Sequence, residues 1–220
     1  MSGLFSQDGF IGKVLGGFTD LLTLSILWMI CSIPIVTAGA STAALYTMTL
    51  RIVRGEEGRI GAGFFHAFRE NFKSATVIHL LVMLLGFLLF VYGFSVGILP
   101  ANIRPFFRGA SILFWMLWLM EVLFVYAVQA RFENTVWNIM RNAWLMAAGS
   151  FPYFLLIFFI SGIPVWTFWL NTGLFVRLLP VWIFLGPGVT AWLNSLLFHR
   201  CFRRFIPENE EEEPTADAEE

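Results

Sequence analysis

Five apolar stretches, each long enough to cross a bilayer, occupy most of this chain. The hydrocarbon core of a membrane is about 30 Å thick, and a helix needs about 20 predominantly apolar residues to cross it. Residues 21–50, 75–96, 110–130, 151–170 and 178–199 each reach that length. Hydrocarbon offers no water to bond the backbone, so each stretch must satisfy its own N–H and C=O groups as a helix. The composition agrees, with 58% hydrophobic and 13% charged residues and a mean hydropathy of +0.74. Soluble domains carry about 25% charged residues. The fold class that follows is all-α: a polytopic integral membrane bundle, placed in the cell membrane, with residues 1–206 as one transmembrane domain.

The first stretch does not read as one straight rod. Pro34 removes a backbone donor and Gly39 relaxes the chain soon after. It crosses either once as a kinked helix or twice as a hairpin, giving five or six segments, and the hairpin is the preferred expectation. Pro180 and the pair Gly186-Pro187 interrupt the last stretch as well. The N-terminus lacks a basic start and a small-residue cleavage site, so it does not read as a cleaved signal peptide.

Charge sets the orientation. Eight of the fifteen acids lie beyond Pro207, leaving fourteen basic against seven acidic residues and a charge near +7 on the rest. The tail 207–220 repels itself and buries nothing, so it reads as disordered, or as a docking tail. Arg51, Arg54, Arg59, Arg69, Lys73, Arg131, Arg141, Arg200, Arg203 and Arg204 fall on one side of the alternating spans; only Arg104, Arg108 and Arg177 fall on the other. By the positive-inside rule the first side, with the C-terminus, is cytoplasmic.

Two segments predict interfacial amphipathic helices. Phe64, Phe65, Phe68 and Phe72 share one arc at 100° per residue, opposite His66, Arg69, Glu70 and Lys73. Val136, Trp137, Ile139, Met140, Ala143 and Trp144 share another, opposite Asn134, Asn138 and Arg141. Aromatic and basic residues so arranged suit a helix lying in the headgroup plane. The two sit in matching contexts: Arg54-x-Glu56 precedes one and Arg131-x-Glu133 the other, and each carries an Arg beside an Asn (Arg69 and Asn71; Arg141 and Asn142). Arg54, Glu56, Arg69, Asn71, Arg131, Glu133 and Arg141 therefore form the candidate cytoplasmic docking face.

The candidate polar site is Glu121 with Thr37, Ser41, Thr190 and Asn194. Glu121 stands alone in FWMLWLMEVLFVY, and a mid-span carboxylate is costly unless it faces protein, water or a ligand. It serves either as a proton, cation or polar-ligand site, or as a hydrogen-bonding contact to a neighbouring helix, for instance to Asn194 or Ser195. The interrupted stretches 34–41 and 186–188 either wall a polar cavity or are kinks whose small residues allow close packing. His66, His79 and His199 have no metal-ligand spacing, and Cys31 and Cys201 read as reduced packing or surface residues. The chain carries no phosphate loop, nucleophile elbow or zinc motif. The expectation is no enzyme, no cofactor and no nucleic acid partner; the lipid bilayer is the one partner the residues require.

The run ILWMICSIPIVTAGASTAALYTMTLRIVRGEEG, followed by FFHAFRENFKSAT, resembles the YesL family of small bacterial membrane proteins. The resemblance reaches to about Phe205 and is densest over 22–76. It implies an accessory or regulatory role in carbohydrate uptake beside importer subunits of the ABC type. The family has no established activity, so no catalytic residue is carried over. A small stand-alone transporter or channel, built on Glu121 and the two interrupted stretches, is the alternative.

Overall fold

A computed structural model describes residues 10–56 and 58–205, with side chains from residue 15 onward. The acidic tail predicted from residue 207 lies outside them. The described chain is all-helical: α1 (Phe10–Ser32), a 3₁₀ turn (Ile35–Thr37), α2 (Ala38–Arg54), α3 (Ile60–Val96), α4 (Arg104–Arg131), α5 (Val136–Gly149), α6 (Phe151–Ser161), α7 (Ile163–Leu170), α8 (Thr172–Phe184) and α9 (Gly186–Phe202).

Proline and glycine place many of the boundaries. Helices α4, α6, α7 and α9 each carry a proline in the first turn, where its missing N–H costs nothing. Helix α2 ends at Gly55, whose φ of 74° lets its N–H reach back to the Arg51 and Ile52 carbonyls; left-handed backbone there favours glycine. Helix α5 begins at Thr135, whose side chain accepts from the Asn138 N–H. In the turn between α3 and α4, the Arg104 guanidinium donates to the Leu99 carbonyl at 3.0 and 2.7 Å.

Helices α1, α3 and α4 are long and apolar enough to cross a membrane. The bent pairs α5–α6, at 101°, and α8–α9, at 74°, raise the number to five if each counts as one span. The flank of α3 explains where the apolar residues go: Leu80, Leu84, Phe87, Leu88, Phe90 and Phe94 are all exposed. An apolar face of that extent marks a surface that meets lipid.

The first block folds back on itself. Ser41 donates to the Trp28 carbonyl at 3.0 Å, and the Trp28 indole N–H donates to Thr42 at 3.0 Å. Residues 28 and 41 of one continuous helix would stand about 20 Å apart along the axis. The returning helix α2 is the hub of the bundle, touching α1, α3, α4 and α9. Its Ala40, Ser41, Ala43 and Ala44 are buried, which lets neighbouring backbones approach closely. Its seventeen residues are shorter and more polar than an independent span needs.

Three expectations are corrected. The amphipathic stretch with Phe64, Phe65, Phe68 and Phe72 is no separate interfacial helix: it runs without a break into the following span as the 37 residues of α3. No proline or helix-ending glycine stands between Gly63 and Gly86, so hydrogen bonding continues although the surface changes from amphipathic to apolar. The stretch 151–170 is not one rod either, for it divides at Gly162 into α6 and α7. Pro180 stays inside α8, and the last stretch bends at Leu185 instead.

Contacts give the directions. Gly39 lies against His79 while Gly63 lies against Met48, so α3 runs antiparallel to α2. Trp118 donates to the Val82 carbonyl and Gln129 to Ser74, so α4 runs antiparallel to α3. Tyr46 meets Asn194 and Thr49 meets Ser195, so α9 runs parallel to α2. The basic ends of α2, α4 and α9 therefore gather at one end of the bundle. There Phe132 packs on Phe202 with centroids 5.5 Å apart, and Arg204 lies over the Tyr153 ring at 5.0 Å.

Candidate functional site

The predicted polar residues fall into two places. The second interrupted stretch borders a cavity of about 230 Å³ lined by Trp28, Thr42, Tyr46, Trp182, Pro187 and Thr190 among others, and no residue of 34–41 lines it. Most of the polar groups nearby are committed. Thr37 donates to the Cys31 and Pro34 carbonyls at 2.6 and 2.9 Å. Ser41 is taken by Trp28. Ser25 of α1 donates to the Leu21 carbonyl and accepts from the Gly188 N–H, both at 2.9 Å, which satisfies a donor that the start of α9 leaves without a helical partner. Asn194 is fully buried and donates to Ser161 at 2.9 Å and to Tyr46 at 3.3 Å.

Glycine makes these breaks fit. A Cβ on Gly39 would lie 2.7 Å from the Ala75 carbonyl oxygen, and one on Gly188 would overlap the Leu21 carbonyl oxygen. Both glycines stand in the first turn of their helices, α2 and α9, pressed on α3 and α1. The observed bonding favours the packing account of the interrupted stretches.

Glu121 lies elsewhere. It is 7% exposed and lines a cleft of about 510 Å³ between α3, α4 and α5. Leu85, Phe114, Trp118 and Trp144 are among its walls, and Arg141 lines it too. The Oε1 atom of Glu121 has no hydrogen-bond partner. Neither expected neighbour bonds it: Asn194 bonds Ser161 and Tyr46, and Ser195 shares a 2.8 Å hydrogen bond with Thr49. His79 shares its Nδ1 hydrogen bond, 2.6 Å long, with Tyr126. Among the described residues no group of three His, Cys, Asp or Glu is placed to hold a metal ion.

The docking residues gather at the basic end. Asn71, Arg131 and Glu133 line a polar recess of about 510 Å³ with Glu70, Ser74 and Gln129; the Gln129 amide donates to Ser74 at 2.8 Å. Arg54 and Arg51 both pair with Glu56. Burial pushes the Glu56 carboxyl up, but the hydrogen bonds and charges of Arg54 and Arg51 outweigh it and hold it below its ordinary value. Arg69 is exposed. Arg141 leaves this group and belongs to the Glu121 cleft.

Sequence reasoning did not assign the cleft walls or the Ser25 cap. The walls carried a signal: Phe114, Leu117, Trp118 and Glu121 recur at three- and four-residue steps, which puts them on one helical face. Ser25 carried none, since its partner is 163 positions away.

Residues 21–92 match a family model described as protein of unknown function, DUF624. The match takes in the α1–α2 hairpin and most of α3. No curated protein and no solved structure matches the chain.

Proposed function

We propose that this chain is a non-enzymatic accessory or regulatory protein of the bacterial cell membrane, with its C-terminus in the cytoplasm, and that it docks importer subunits of the ABC type at its basic end. The observation that carries this reading is the polar recess where the amphipathic part of α3, the end of α4 and the link to α5 bring Asn71, Arg131 and Glu133 together. Cationic helix ends gathered on one side favour a cytoplasmic location for that recess. The carbohydrate link rests on the YesL-like run within the DUF624 match. The test is affinity purification of the full chain in a mild detergent. Importer subunits co-purify with the wild type and are lost with Glu133→Lys; the reading fails if they never co-purify and deletion of the gene leaves sugar uptake intact.

A second reading is a stand-alone transporter or channel, which the partnerless Oε1 of Glu121 favours. Thr37 and Ser41, already bonded to carbonyls, contribute little to it. Purified protein in liposomes then moves solute or protons, and a silent reconstitution removes it.

A further inference from the structure

The Glu121 cleft combines three features. Its lining is almost wholly apolar and aromatic, and it carries two residues of opposite charge, Glu121 and Arg141. Among the described residues no ion pair joins these two. Glu121 is more than nine-tenths buried, lines the cleft, and holds an Oε1 acceptor with no hydrogen-bond partner. A buried acceptor left without a donor costs free energy that a bound donor recovers.

The direction in which the cleft opens narrows the ligand. Leu85, Trp137 and Leu145 belong to its lining and are exposed on the flank of the bundle, so the opening faces sideways, toward lipid. A water-soluble solute would meet hydrocarbon there, whereas a membrane amphiphile is already present. The volume lies within the range of small-molecule sites, about 300–1,000 Å³. Arg141 and Trp144 sit on amphipathic α5, while Leu117 and Phe114 lie nearer the start of α4, away from its basic end. Tryptophans with one apolar side and one polar N–H suit the boundary between the two.

We propose that this cleft binds a single-chain amphiphile with a zwitterionic, amine-bearing phosphate head. The ammonium donates to Glu121, the phosphate accepts from Arg141, and the acyl chain follows the wall from Trp118 to Phe114 and Leu85. Phosphate and guanidinium match as a two-point contact, and the carboxylate selects heads that keep N–H donors.

The test uses the full chain in phosphatidylcholine nanodiscs with radiolabelled lysophosphatidylethanolamine. Saturable binding of one molecule per chain is expected. Lysophosphatidylcholine, which has no N–H donor, should compete at least about tenfold less well, and lysophosphatidylglycerol, which has no amine, should compete poorly too. Glu121→Gln removes the preference between the ethanolamine and choline heads; Arg141→Gln weakens both alike. Leu85→Trp fills the wall without touching either charge and cuts saturable binding, which keeps the test decisive should Glu121→Gln fail to fold. Non-saturable partitioning, equal competition by the choline head, tighter binding of the glycerol head, or undiminished binding in Leu85→Trp would each overturn the proposal.

Discussion

At Gly39 and Gly188 a hydrogen atom stands where any side chain would collide with another helix. Each contact involves backbone on the far side, which yields less readily than a flexible side chain. Gly39→Ala and Gly188→Ala should each destabilise the protein by about 1–3 kcal/mol, the usual range for overpacking. Gly109, a helical glycine with open space around it, is the control: Gly109→Ala should be neutral or stabilising by about 0.4–1 kcal/mol. Thermal unfolding in detergent reads all three, and an unchanged melting temperature in Gly188→Ala would remove the close-packing account. Glu56 gives a second expectation. Its folded pKa lies below its ordinary value of 4.5, so its ion pairs stabilise the α2–α3 turn above that value and lose this effect as pH falls through the depressed one. Hydrogen exchange in the turn, corrected for intrinsic rates, should show protection falling on acidification in the wild type and no such step in Glu56→Gln. The effect is small, since exposed pairs contribute about 0–1 kcal/mol. Residue chemistry of this sort was only partly legible. The cost of a buried carboxylate pointed to Glu121, but its neighbours depend on α5 packing against α4, which no local pattern announces.

Among the elements, periodicity found the surfaces and placed one joint that the backbone does not make. The amphipathic start of α3 and the apolar remainder differ in composition, and that difference implied an elbow. A change of surface is not a change of backbone: without proline or a capping glycine the helix continues, and α3 extends about 55 Å. At α5–α6 the same pattern does bend, by 101°, where Ser150 leaves the helical region at φ −124° and ψ 46° ahead of the proline-bearing first turn of α6. Spin labels at His66 and Phe94, both exposed, separate the alternatives. A continuous α3 puts the two backbone positions about 42 Å apart, whereas a right-angled elbow near residue 74 puts them about 32 Å apart. A distance near the shorter value contradicts the continuous helix. The fold-back of the first block, in contrast, was legible as one of two alternatives, because Pro34 and Gly39 interrupt both hydrogen bonding and rigidity within a few residues, although α2 is not among the described helices long and apolar enough to cross.

For the whole molecule, composition was decisive about environment and silent about activity. Apolar runs of this length leave lipid as the solvent, and the exposed flank of α3 is the structural counterpart. Inside lipid the bundle cannot rely on hydrophobic burial between helices, and small residues with polar contacts hold it instead: Ala40, Ala43 and Ala44 in the hub, with Thr49–Ser195 and Asn194–Tyr46 joining α2 to α9. The same geometry gathers the basic ends of α2, α4 and α9 on one side, and the docking proposal depends on that side being the cytosol. One labelling experiment tests crossing and orientation together. In a background with Cys31 and Cys201 replaced by serine, Ala101→Cys marks the α3–α4 turn and Arg203→Cys marks the end of α9. A membrane-impermeant maleimide applied to intact cells should label Ala101→Cys at once and Arg203→Cys only after permeabilisation. Labelling of both from the outside, or of Arg203→Cys alone, would contradict the arrangement.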